Sequence, residues 1–100
     1  MVLWLDDLRP APEHFIHVHN YKEFVEWINK NGLPDTIYFD HDLGEELTGY
    51  DCAKWVVNYC LDKNINIPKY YIQSMNPVGK ENIIGVLENY RKYYEQTELR

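Results

Sequence analysis

The sequence predicts an open α/β sheet of about four mostly parallel strands, with three helices on its faces, in the order β-β-α-β-α-β-α. Short apolar runs at residues 2–5 and 37–39 are typical of buried strands. Segments with apolar residues at helical spacing follow the later strands, and Pro and Gly separate the elements. One hundred residues, 45% of them hydrophobic, suffice for a single domain over residues 1–100.

The first two predicted strands follow each other closely in the chain. Residues 2–5 form the first strand, and residues 14–19, where apolar residues alternate with histidines, form the second. Pro10 and Pro12 exclude a helix between them. A parallel pair normally needs a crossover of about a dozen residues or more, and residues 9–13 offer fewer. Either these residues cross in extended form, or the second strand runs antiparallel.

Caps and breakers delimit the later elements. Asn20 is a predicted N-cap, Gly32 stops the helix that follows it, and Pro77 suits the first turn of the last helix. The remaining predicted elements are a helix at residues 20–31, a strand at 36–39, a helix that begins at Thr48 or Gly49, a strand at 69–73, and a helix through residues 77–94.

Composition restricts the class of protein. A formal net charge of -6 argues against a broad, direct nucleic-acid-binding face, which is normally basic. No apolar stretch approaches the roughly 18 residues that span a bilayer, and the N-terminus lacks the features of a signal peptide. Cys52 and Cys60 lie in one predicted helix, about 12 Å apart along its axis, and cannot bridge there. We therefore expect reduced thiols in a cytoplasmic protein.

Polar side chains follow three of the predicted strands, at the point where each strand ends. Because the carboxyl ends of neighbouring parallel strands meet at one edge of a sheet, we expect these side chains to converge. Clustered carboxylates require a cation or protons, and oxygen-rich sites suit Mg²⁺. The groups are Asp6-Asp7 after the first strand, Asp40-His41-Asp42 after the third, and Ser74 with Asn76 after the fourth.

Several of these side chains have two interpretations. Arg9 could bind a phosphate with its guanidinium, or it could form an ion pair with the first acid pair. His41 stands between two acids, which favours its charged form and suits a general acid, or it points away from the crevice. Ser74 and Asn76 at a helix N-terminus could cradle phosphate, or Asn76 could be an ordinary N-cap.

The order of these groups resembles that of receiver (CheY-like) domains, in which acids follow the first and third strands and a Ser or Thr follows the fourth. A closer resemblance is to the compact receiver-like family of cyclic-phosphate processing receivers. The chain carries that family's three motifs in order: Leu5-Asp6-Asp7-Leu8-Arg9-Pro10-Ala11-Pro12, Phe39-Asp40-His41-Asp42-Leu43-Gly44 and Gln73-Ser74-Met75-Asn76-Pro77-Val78-Gly79. This resemblance implies a truncated, receiver-like sheet without the receiver's first helix and fifth strand.

The resemblance also implies roles for the acids. Asp6, Asp7 and Asp40 would hold Mg²⁺, and Asp40 could instead attack phosphorus or accept a phosphoryl group. Asp42 or His41 would transfer protons.

Other residues would contact the phosphate. Ser74 and Asn76 would position its oxygens together with Arg9, and Lys80 could replace the Lys of the absent fifth strand. Gln73 stands where the family usually has His. If that His is the acid or base, His41 must act here, or activity is lost.

The function implied is that of a metal-dependent phosphoesterase that processes a cyclic phosphate on a nucleotide or an ADP-ribose-type substrate, as arises in RNA repair. Its partner would be a small phosphorylated, nucleotide-like ligand. The alternative is a degenerate receiver that accepts a phosphoryl group or sequesters a nucleotide without turnover. Turnover of a cyclic phosphate and stable labelling of Asp40 discriminate between these functions.

Overall fold

The computed structural model describes residues 1–98 and contains the seven predicted elements in the predicted order. Their bounds agree closely with the sequence, apart from a shorter second strand and a longer last helix. The elements are β1 (Val2–Leu5), β2 (Ile16–Val18), α1 (Tyr21–Asn31), β3 (Thr36–Phe39), α2 (Gly49–Lys63), β4 (Lys69–Ile72) and α3 (Pro77–Glu98).

The four strands form one parallel sheet in the order β2-β1-β3-β4. The direction of β2, which the sequence left open, is therefore parallel to β1, and the chain crosses between them without a helix. Because β1 and β3 are the central strands, the residues that follow Leu5 and Phe39 emerge side by side. The strand order thus brings the acidic segments that follow β1 and β3 to one edge.

The predicted caps fix where the helices begin. The side chain of Asn20 accepts a hydrogen bond from the Glu23 amide at 2.9 Å. Thr48 caps α2 in a reciprocal box, because the Asp51 carboxylate accepts from the Thr48 amide at 2.7 Å. Asn76 accepts from the Gly79 amide at 2.9 Å and begins α3. Each cap satisfies a backbone donor that the helix leaves unpaired.

All three helices pack on the same face of the sheet. The core unites Leu3, Leu5, Ile37 and Phe39 with apolar residues of α1, α2 and α3. The ring of Phe24 on α1 lies 5.9 Å from that of Phe39. The sequence predicted helices on the faces of the sheet, and among the described residues all of them lie on one face.

The opposite face of the sheet carries a row of aromatic side chains. The register pairs His17 with Trp4, Trp4 with Tyr38, and Tyr38 with Tyr71, so these residues share one row across all four strands. The Tyr38 and Tyr71 rings stack at 4.9 Å, and Phe15 packs beside Tyr38 at 5.4 Å. No described helix covers this row, although parallel sheets are normally covered on both faces. We call it the bare face.

Within residues 1–98, no helix combines the length and the apolar character needed to cross a membrane.

Candidate functional site

An acidic cavity lies at the carboxyl edge of the sheet, where β1 and β3 end. Asp6, Asp7 and Asp40 each offer a carboxylate oxygen, and these oxygens lie within 4.8 Å of one another. The cavity has a volume of about 400 Å³. It is lined by Asp6, Asp7, Leu8, Arg9, Asp40, Asp42, Gly44 and Met75. The structure therefore brings together five of the predicted site residues, from both acidic segments.

Asp6 is buried and heavily hydrogen-bonded. Its side chain is 1% exposed, and its Oδ1 accepts from the amides of Leu8 at 2.9 Å and Arg9 at 2.8 Å. Its Oδ2 accepts from Gln73 Nε2 at 3.1 Å and lies 3.5 Å from Arg9 Nη1. Asp6 thus fixes the turn after β1 and links it to the end of β4.

Arg9 forms the ion pair that the sequence offered as one of its two interpretations. Its guanidinium donates to the carbonyl oxygen of Gln73 and approaches Asp6. The side chain is still half exposed and lines the cavity. One cation therefore stands among four carboxylates, those of Asp6, Asp7, Asp40 and Asp42, and compensates their charge only in part.

Asp40 is the carboxylate with the least favourable surroundings. Its side chain is 7% exposed, and only its Oδ1 accepts a hydrogen bond within residues 1–98, from the His41 amide at 2.9 Å. Burial, and then the charge of Asp6, raise the pKa of Asp40 above its usual value. A cation at this position would relieve both effects.

Asp7 is the third carboxylate of the cluster, and it lies against the loop that follows β3. Its carboxylate accepts no hydrogen bond from residues 1–98. Gly44 approaches it closely, since a Cβ added at position 44 would lie 3.1 Å from Asp7 Oδ2. Gly44 has φ +68°, a conformation that favours glycine.

The donor set of the cluster fits a hard divalent cation. Three carboxylates supply oxygen ligands, and Mg²⁺ is commonly bound through one or two carboxylates together with water and phosphate oxygens. The oxygens of Asp7 and Asp40 that accept no hydrogen bond within the described residues are available for such a cation.

His41 lies beside this cavity rather than in its lining, against the first turn of α3. Its Nδ1 is 3.2 Å from Asp42 Oδ1 and 3.5 Å from Asn76 Nδ2. A Cβ at Gly79 would lie 2.3 Å from the imidazole, so only glycine leaves room for the ring. Asp42, which is 68% exposed, joins His41 to the cavity.

The remaining predicted phosphate-binding residues lie on the α3 side of the site. Ser74 Oγ accepts from the Asn76 amide at 3.0 Å, and Asn76 caps α3, so both side chains support the turn after β4. Neither lines the cavity. Lys80 is exposed in the first turn of α3 and also lies outside the cavity lining.

Besides Gly44, sequence reasoning missed three contributors to the site. Leu8 and Met75 line the cavity although they are apolar, and their position inside two of the motifs was the available signal. Gly49 lies against the end of β3, because a Cβ there would lie 1.8 Å from the Asp40 carbonyl oxygen. Its amide donates to the His41 carbonyl at 2.8 Å. No local pattern in the sequence indicated this contact.

Comparison with known families gives one match. A family model described as the cyclic-phosphate processing receiver domain matches residues 1–89, a range that contains every residue of the cavity. No curated protein and no solved structure matches the chain.

Proposed function

Since the chain belongs to the cyclic-phosphate processing receiver family, we propose that it is a metal-dependent phosphoesterase that opens a cyclic phosphate on a nucleotide-like substrate. The observation that carries the proposal is the convergence of Asp6, Asp7 and Asp40 within 4.8 Å at one cavity. The family description supports the substrate class, and the carboxylates support the metal.

The acids divide into two roles in this proposal. Asp6, Asp7 and Asp40 hold a divalent cation, for which Mg²⁺ is the best fit. When bound, the cation supplies charge stabilisation at the phosphoryl oxygens. Asp6 also keeps its hydrogen bonds to the turn after β1, so it positions the other two ligands.

Asp42 is the proposed proton carrier, because its carboxylate is exposed and lines the same cavity. It takes a proton from a water molecule as the water oxygen bonds to phosphorus. One ring P–O bond breaks, and the departing oxygen takes the proton that Asp42 now carries, becoming a hydroxyl group and leaving Asp42 ionised again. The product is a phosphate monoester. His41 holds Asp42 in place through Nδ1.

Two donors would bind the phosphate oxygens. Arg9 lines the cavity with a half-exposed guanidinium, and guanidinium groups pair with phosphate in bidentate geometry. Asn76 Nδ2, 3.5 Å from His41 Nδ1, would be the second donor, on the α3 side and outside the cavity lining. Gln73 already donates to Asp6, so it supports the metal ligands instead of replacing an acid or base.

The test is turnover of cyclic phosphates in the presence of Mg²⁺. Adenosine 2′,3′-cyclic phosphate and ADP-ribose cyclic phosphate are incubated with the protein, and ring opening is followed by phosphorus NMR. We expect Mg²⁺-dependent opening that falls at least about a hundredfold in Asp40→Asn, because a ligand charge is lost. Asp62→Asn, the same change at an exposed position on α2, is the matched control and retains wild-type turnover.

Two results would contradict the proposal. The first is the absence of both Mg²⁺ binding and cyclic-phosphate opening. The second is stable labelling of Asp40 by acetyl phosphate without turnover, which would establish a phosphoryl-accepting receiver instead.

A further inference from the structure

Two apolar side chains stand at the rim of the acidic cavity. Leu8 is 84% exposed and Met75 is 89% exposed, and no other large hydrophobic residue within residues 1–98 is as exposed. Both line the cavity that contains Asp40. Single exposed hydrophobic residues are common on protein surfaces, but these two line the same polar cavity.

The backbone holds both side chains in fixed loops. Leu8 donates its amide to Asp6 Oδ1 at 2.9 Å, and the turn around Met75 is closed by the Asn76 amide and Ser74 Oγ at 3.0 Å. Arg9 joins the two loops by donating to the Gln73 carbonyl oxygen. Both side chains are therefore exposed on loops that hydrogen bonds hold in place. A ligand that covered them would remove apolar surface from water, which is favourable.

We propose that Leu8 and Met75 bind the planar base of a nucleoside 2′,3′-cyclic phosphate while Arg9 binds its phosphate beside the acids. This inference rests on the proposed function and narrows it to one substrate class. A nucleobase offers two apolar faces, and a thioether makes favourable contacts with aromatic rings. A cavity of about 400 Å³ falls within the size range of small-molecule sites.

The position of the two side chains favours this class over an ADP-ribose cyclic phosphate. Leu8 is two residues from Asp6 and Met75 lines the same cavity as Asp40, so the apolar contacts are next to the acids. In a nucleoside 2′,3′-cyclic phosphate the base and the phosphate share one ribose. In ADP-ribose a diphosphate separates the base from the terminal ribose.

The test compares binding of two cyclic phosphates that differ in the base. Titration calorimetry in Mg²⁺ measures adenosine 2′,3′-cyclic phosphate against methyl riboside 2,3-cyclic phosphate. We expect the wild-type protein to bind the nucleoside at least about tenfold more tightly. In the double variant Leu8→Ser, Met75→Ser this preference falls to about twofold or less, and the affinity for the riboside is unchanged. Leu61→Ser, at an exposed position on α2, is the control and keeps the preference.

Each other outcome overturns the inference. If the wild-type protein binds and opens both compounds equally well, the base contact is absent and the proposed function stands. If the double variant keeps the preference, other residues bind the base. If ADP-ribose cyclic phosphate binds more tightly than the nucleoside and the double variant leaves that affinity unchanged, the substrate class is wrong. If neither compound binds, the proposed function fails as well.

Discussion

Two aspartates at the same edge of the sheet differ in their hydrogen bonding. Asp6 accepts hydrogen bonds from two backbone amides and one side-chain amide, whereas Asp40 accepts one hydrogen bond, from a backbone amide, within the described residues. Charge on Asp6 is therefore compensated inside the protein. Negative charge on Asp40 opposes folding, because the carboxylate is buried beside Asp6. Such destabilising charges are common at functional sites.

The first prediction concerns Asp40 and pH, in metal-free protein. The pKa of Asp40 is raised in the folded state by burial and by Asp6, so the folded protein holds this proton more tightly than the unfolded chain. The contribution of protonated Asp40 to the free energy of unfolding is fully present below the pKa of the unfolded chain. It is lost as pH rises through the raised pKa of the folded protein. We expect Asp40→Asn to be more stable than wild type at pH 7, with the difference shrinking towards pH 3.

Urea unfolding across this pH range, with a chelator present, measures the effect. Asp62→Asn is the control and should leave the pH dependence of stability unchanged. Adding Mg²⁺ should raise the free energy of unfolding of the wild type and not that of Asp40→Asn. A wild-type protein more stable than Asp40→Asn at neutral pH without metal would contradict the account.

The residues of the site differ in how far the sequence could predict them. The convergence of Asp6, Asp7 and Asp40 was predictable, because it follows from the alternation of strands and helices and from where the apolar runs end. The contacts of Gln73 with Asp6 and Arg9 were not, because they join residues 67 and 64 positions apart. Whether Arg9 pairs with Asp6 or stays free for a phosphate could not be predicted, because its position depends on the distant contact with Gln73.

At the scale of elements, a glycine allows α2 to begin against the end of β3. Gly49 is the first residue of the helix, and its amide donates to the His41 carbonyl at 2.8 Å. The cap at Thr48 is a local signal, so the sequence predicted where α2 begins. The close approach of Gly49 to Asp40 depends on the docking angle of the helix, which no local signal determines.

The second prediction tests this approach with two glycine substitutions. Gly49→Ala would place a Cβ 1.8 Å from the Asp40 carbonyl oxygen, so backbone must move, and we expect a loss of about 2 kcal/mol or more. Gly85→Ala is the matched control, because nothing lies within 4 Å of its added Cβ and it is exposed in α3. It should stabilise the protein by about 0.5–1 kcal/mol.

The free energies come from urea denaturation of the three proteins. Because Asp40 would move with the strand end, Gly49→Ala should also weaken Mg²⁺ binding in calorimetry, while Gly85→Ala should not. Equal stability and equal Mg²⁺ affinity of Gly49→Ala and wild type would show that α2 can shift without affecting the site.

At the scale of the whole molecule, one hydrophobic core lies between the sheet and a single layer of helices. Element order and the parallel sheet followed from the alternation of apolar runs and helical segments. The side on which each helix packs did not, because α1, α2 and α3 all have apolar faces that would suit either side of a sheet. By residue type alone, the aromatic residues of the bare face could belong to the core. Their alternate positions along the paired strands place them on the opposite face of the sheet.

The third prediction uses the two thiols of this core. Cys52 and Cys60 are both free and fully buried on α2. Burial raises the pKa of both thiols, that of Cys60 to about 12, so neither forms the reactive thiolate near neutral pH. We expect both to react with a thiol reagent only when the whole domain unfolds.

Labelling at pH 8, followed by mass spectrometry, should give the same slow rate for both cysteines in native protein. That rate should increase with urea in step with global unfolding, and both should label fully in the unfolded chain. Rapid labelling of one cysteine in native protein would reveal local opening of α2.

A chromophore of the bare face is hydrogen-bonded to a residue that lines the acidic cavity. The indole of Trp4 belongs to the aromatic row, and its Nε1 donates to the Arg9 carbonyl oxygen at 3.0 Å. A phosphate that draws Arg9 away from Asp6 would disturb the backbone to which this indole is bonded. We therefore expect the emission of Trp4, isolated by replacing Trp27 and Trp55 with Phe, to change when a phosphate occupies the neighbouring cavity, with no attached dye.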